Sequence, residues 1–134
     1  MIPVEYVMNR HIFKIEDKAT VREAARMMKD YRVGSLLVVK DGDYVGIFTE
    51  TDLARRVIAE DLVPADTPVG IVMSSPVITI EAGEPLIEAY NLMRVCGVRH
   101  LAVATDDRIT GVVSIRDLIH PIYGKEAWVG AHAR

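Results

Sequence analysis

The chain has 134 residues, 50% of them hydrophobic, and a formal net charge of −3. That suffices for one domain-sized body with a real core, while the interspersed charges supply no basic block for nucleic acid, and no apolar run approaches the roughly 18–20 residues of a membrane helix. The single Cys96 excludes a disulfide framework within the chain and offers no metal-ligand spacing.

Residues 2–4, Ile-Pro-Val, read as a short helix start. Arg10 and His11 interrupt too early for a signal peptide, so a soluble cytoplasmic protein is expected. Residues 12–15 form a short strand. Thr20-Val21-Arg22-Glu23 has capping-box form, with a hydroxyl at the N-cap and a carboxylate three residues later. Val21, Ala24, Ala25 and Met28 follow at helical spacing. Residues 36–39 are a buried strand, Asp41-Gly42-Asp43 a turn, residues 44–48 the return strand, and a helix starts near Glu50.

Residues 59–66 read as a linker, turned by Pro64 and Asp66, and Thr67-Pro68-Val69 as another helix start. Pro85 is placed at the first position of the next helix, where its missing N–H costs nothing. Leu86, Ala89, Tyr90 and Met93 make its apolar face, and Cys96 among them is expected to be a buried, inert thiol. Residues 101–104 and 109–113 are a strand pair around Asp106-Asp107-Arg108, and the last helix begins near Ile115. The tail, 123–134, has no counterpart earlier in the chain; Trp128 there either packs on a neighbour or frays with it.

These elements are one β-α-β-β-α unit written twice. At an offset of 65, Pro3-Val4 lands on Pro68-Val69, Val7-Met8 on Val72-Met73, Glu23-Ala24 on Glu88-Ala89, and Asp52-Leu53 on Asp117-Leu118, without a gap. Repeats stack to bury a shared face, and two alone predict a pseudo-two-fold pair with a cleft lined by both halves. The expected fold is α/β (α+β), with repeat 1 at 2–58 and repeat 2 at 67–122.

One motif occurs in both copies: Gly46-Ile47-Phe48-Thr49-Glu50-Thr51-Asp52 and Gly111-Val112-Val113-Ser114-Ile115-Arg116-Asp117. Thr49 and Ser114 suit an N-cap, and Asp52 and Asp117 a first-turn acid. The same junction suits an anion, because free amides and the helix dipole attract phosphate. The hydroxyl would add a phosphate contact, the carboxylate would accept ribose hydroxyls, and the glycine would let a flat base approach the backbone. Both readings stand at this level. Arg99-His100 opens an apolar strand where the first copy has Gly34-Ser35, so the pair is either a surface edge or a phosphate contact. His11, His100, His120 and His132 share no spacing, so no metal site is expected; no nucleophile pattern points to an enzyme.

Residues 2–120 resemble a tandem pair of CBS domains, the cystathionine β-synthase type, or Bateman module. The resemblance rests on the two lead-ins, the strands 34–39 and 98–103, and the doubled glycine–hydroxyl–aspartate motif. It implies a non-catalytic, energy-sensing regulatory module without resident cofactor, binding AMP, ADP, ATP or S-adenosylmethionine between its repeats. Asp52 or Asp117 would hold ribose and Thr49 or Ser114 phosphate, with Thr51 and Arg116 beside them. Ile12-Phe13-Lys14 and Val77-Ile78-Thr79 would flank the base. Arg99-His100 would be aimed at phosphate in the Thr49–Asp52 site, leaving the Ser114–Asp117 site, beside Gly34-Ser35, to tolerate a less anionic ligand or stay empty. A homodimer is expected through Leu53, Val57, Ile58, Leu118 and Ile119. The alternative is a ligand-free dimeric module docking on a separate effector enzyme or transporter.

Overall fold

The computed structural model describes residues 1–123. Trp128, His132 and nearly all of the expected tail lie outside them. Two compact units emerge, one made of residues 12–77 and the other of 1–11 together with 78 onward. Each holds a three-stranded sheet with helices against it.

In the unit 12–77, β1 (Lys14–Glu16) lies parallel to β2 (Ser35–Lys40), which pairs antiparallel with β3 (Asp43–Thr49). The helix α1 (Val21–Tyr31) crosses from β1 to β2. Its start is the expected capping box: Glu23 N donates to Thr20 Oγ1 at 3.1 Å and Thr20 N to Glu23 Oε2 at 3.0 Å. Its end is Arg32, in the left-handed region at φ 56°. A two-residue hairpin at Asp41-Gly42 has φ of 50° and 83°, the paired positive values that Asp-Gly favours. After β3 the chain turns into α2 (Glu50–Asp52), continued by a wide π turn at Leu53–Ile58.

The second unit repeats this with β4 (Thr79–Glu81), α4 (Leu86–Cys96), β5 (His100–Thr105), β6 (Arg108–Ser114) and α5 (Ile115–Tyr123). Pro85 is the N-cap of α4, one residue before its expected place, and Gly97 closes that helix at φ 68°. The middle strands are apolar runs buried on both faces: Leu36, Leu37 and Val38 in one unit, Leu101, Ala102 and Val103 in the other.

The sequence repeats and the compact units differ at one place. Each lead-in packs on the other copy's body. Val4 and Met8 enter the core of Ile80, Leu86, Ala89, Met93, Leu101, Val113 and Leu118. Val69 and Val72, on α3 (Val69–Val72), enter that of Val21, Met28, Leu36, Phe48 and Val57. The backbone does the same on both sides. Val4 N donates to Glu84 O at 2.8 Å and Val69 N to Ala19 O at 2.8 Å; Asn9 bridges to Val112 and Ser74 to Ile47.

Three sequence expectations are corrected. Cys96 is exposed, because it sits on the last turn of α4 facing away from the core. Val57 and Leu118 are fully buried in their own units, so neither can meet a second molecule. Gly46 and Gly111 are accounted for by chain packing rather than by a base. A Cβ at Gly46 would lie 2.5 Å from Met73 Sδ and 2.8 Å from Ser74 O, and one at Gly111 2.6 Å from Met8 Sδ and 2.9 Å from Asn9 O. The lead-in occupies the face that glycine opens.

Candidate functional site

Each motif sits where the last strand of its sheet turns into a helix. In the first, Asp52 is 4% exposed and reaches back to cap its own helix. Its Oδ2 accepts Thr49 N at 3.0 Å and Thr49 Oγ1 at 3.1 Å, while Asp52 N donates to Thr49 Oγ1 at 3.2 Å. Its Oδ1 accepts Ser74 Oγ at 2.8 Å, and Arg56 Nε lies 3.5 Å away. Arg56 Nη1 also donates to Met73 O at 2.9 Å, tying the helix to the lead-in. The cap expected from sequence therefore forms, and more donors converge on it than the motif announced.

The second motif forms the same cap. Asp117 Oδ2 accepts Ser114 N at 2.7 Å and Ser114 Oγ at 3.0 Å, and Asp117 N donates to Ser114 Oγ at 3.3 Å. Among the described residues, no donor reaches Asp117 Oδ1. Asp117 is half-buried, and Arg116 is exposed beside it, as Thr51 is beside Asp52.

The first residues of each middle strand join their own unit's motif. Ser35 lies opposite Thr49, and Gly34 O accepts Glu50 N at 3.1 Å. His100 lies opposite Ser114, and Arg99 O accepts Ile115 N at 2.8 Å. Within its own unit, then, the basic pair adjoins Ser114–Asp117. Arg99 is exposed and His100 half-buried. Arg99 also lines, with Tyr90, Arg94, Gly97, Val98 and Ile115, an open hollow of about 340 Å³ over the end of α4.

The segments expected to flank a base run beside the middle strands. Phe13 O accepts Leu37 N at 3.0 Å, Ile78 O accepts Ala102 N at 3.0 Å, and the Phe13 ring stacks, tilted 35°, on Tyr31 at 4.8 Å. Ile12 and Val77 are half-buried, while Lys14 and Thr79 are exposed on their edge strands. Ser74 and Arg56 are the residues the sequence reading missed. Arg56 carried a signal, standing four residues after Asp52 on a helix; Ser74, 22 residues away, carried none. Among the described residues no three His, Cys, Asp or Glu side chains converge as metal ligands, and no helix is long and apolar enough to cross a membrane.

Comparison with known proteins agrees with the geometry. An uncharacterized protein of Methanopyrus kandleri is 31% identical over 120 residues, 88% of this chain but only 61% of that protein's length. The CBS domain-containing protein YhcV of Bacillus subtilis is 30% identical over 118 residues, covering 88% of this chain and 84% of YhcV. The solved structure of a CBS-domain protein from Burkholderia ambifaria superposes with a TM-score of 0.87 at 29% identity, covering 90% of this chain and 93% of that one. The CBS domain itself matches twice, over residues 4–59 and 63–124. With two copies in tandem, each built on the doubled strand-to-helix motif, the chain belongs to the CBS domain family of regulatory modules.

Proposed function

We propose that this pair senses an adenosine-containing ligand of the AMP, ADP, ATP or S-adenosylmethionine class, held at the strand-to-helix motif, and acts without catalysis. The observation that carries this reading is the Ser114–Asp117 junction. A hydroxyl, a carboxylate with one oxygen open among the described residues, and the chain entering β5 at Arg99 and His100 adjoin there through the backbone. A guanidinium suits phosphate and a carboxylate suits ribose hydroxyls. Binding would work by population shift, the ligand favouring whichever arrangement of the protein it binds better. We place the protein in the cytoplasm, where the exposed Cys96 thiol would stay reduced.

A thermal-shift screen against those four ligands tests the proposal. A ligand at a hundredfold excess over its Kd stabilises by about 2.7 kcal/mol, on the order of 10 °C for a protein of this size. No shift with any of the four overturns it. The second reading, a ligand-free dimeric module that docks on an effector, is favoured by one observation: α4 exposes Ile87, Tyr90 and Val95, at 47%, 37% and 79%. A homodimer through that helix belongs to both readings.

A further inference from the structure

We infer that the two motifs are unequal ligand sites and that Arg56, with Ser74, is the reason: together they occupy the Asp52 carboxylate from within the protein. This rests on the adenosine-ligand reading above and deepens it. A carboxylate offers about four lone-pair positions. At Asp52 three hydrogen bonds take three of them, Thr49 N and Oγ1 on Oδ2 and Ser74 Oγ on Oδ1, and the Arg56 guanidinium pairs with Oδ1 at 3.5 Å. The group is 4% exposed, and at most one position beside a paired guanidinium remains, too few for a ribose diol.

Among the described residues the second copy makes neither extra contact. The position matching Arg56 is Pro121, which has no side-chain donor. The position matching Ser74 is Asn9, whose Oδ1 is turned to His11 N at 3.0 Å. Asp117 accordingly keeps Oδ1 open among the described residues. A vicinal diol needs two acceptor positions, and among the described residues Asp117 keeps them while Asp52 does not. A ligand at the first motif must first displace an ion pair and a hydroxyl, and its apparent affinity falls by the fraction of molecules in which they are released. Arg56 is thus a specificity-determining residue that touches no ligand.

The test is calorimetry and amide chemical-shift mapping of the full chain with AMP. The wild type should take one AMP per chain, with shifts centred on residues 114–117, and Asp117→Asn should weaken binding at least tenfold. Arg56→Met combined with Ser74→Ala keeps the aliphatic stem of Arg56 and removes both partners of Asp52 Oδ1. It should raise the stoichiometry to two and bring residues 49–52 into the shifted set. If the double variant does not fold, Ser74→Ala, which removes the hydrogen bond to Asp52 Oδ1, carries the same expectation. Two equivalent AMP sites in the wild type, or one site in a folded variant that still excludes residues 49–52, overturns this inference and leaves the ligand reading standing. No response to AMP, ADP, ATP or S-adenosylmethionine by wild type or variant overturns both.

Discussion

At the scale of single residues, the two aspartates share a motif and differ in what depends on them. Asp52→Ala strands Thr49 N and Ser74 Oγ beside a buried site, and should cost about 2–3 kcal/mol from the lost cap and unmade hydrogen bonds. The Arg56 pair adds little, because that side chain is 54% exposed. Asp117→Ala loses only a half-buried cap and should cost about 1 kcal/mol. Urea denaturation of both variants measures the difference; equal losses would show that Ser74 and Arg56 contribute nothing. The cap at both sites is legible from the spacing of the sequence, and a hydroxyl brought in from a distant lead-in is not. A second contrast lies at the helix ends. Gly97 and Arg32 hold matching positions with φ of 68° and 56°. Arg32→Gly should therefore stabilise by about 1 kcal/mol, since only glycine adopts that conformation without strain; a lowered urea midpoint would contradict it.

At the scale of elements, strands and helices were legible because their periods are unmixed. Leu36 to Val39 is a continuous apolar run and α1 a one-sided stripe, and Asp41-Gly42 is a hairpin signal with a mechanism. Which copy each lead-in would join was not legible. Val4 and Val69 hold the same place in the repeat, so either body offers an equivalent pocket, and only chain geometry decides. The exposed thiol of Cys96 was missed for a related reason. α4 is apolar on both faces, with Ile87, Tyr90 and Val95 outside and Leu86, Ala89 and Met93 inside, so its pattern does not say which face is buried. The lead-in contact can be broken at the strand it crosses. Gly46→Ala drives a methyl against Met73 and the Ser74 carbonyl, and the backbone atom cannot move as a side-chain end can. A loss of about 1–3 kcal/mol is expected from such overpacking. Hydrogen exchange should speed first at Val69 and Ser74, whose amides hold that segment. Unchanged protection there would show that the strand yields instead.

At the scale of the whole molecule, the fold has already used two of the five residues on which the sequence placed the dimer contact, while Ile58 stays 57% exposed. Val57 and Leu118 are sealed in their own cores, whereas Ile87 and Val95 stand in solvent on one stretch of α4. Val95→Lys combined with Ile87→Lys should therefore convert the proposed dimer to monomer without a loss of folded signal. Light scattering at tens of micromolar reads the mass, and a monomeric wild type would remove the dimer altogether.

The exchanged lead-ins separate the unit of inheritance from the unit of folding. What was duplicated is the stretch that recurs at an offset of 65, but neither copy holds its own plug. On a ribosome the body built from residues 12–77 has all its parts once Val77 has emerged. The other body's first segment is made earliest, and it waits until β6 and α5 exist before Val4 and Met8 find their places. Synthesis thus completes the two halves in a set order. A gene fragment cut at the repeat boundary would yield a body missing Val69 and Val72, whereas one cut at 12 and 77 would carry a whole core.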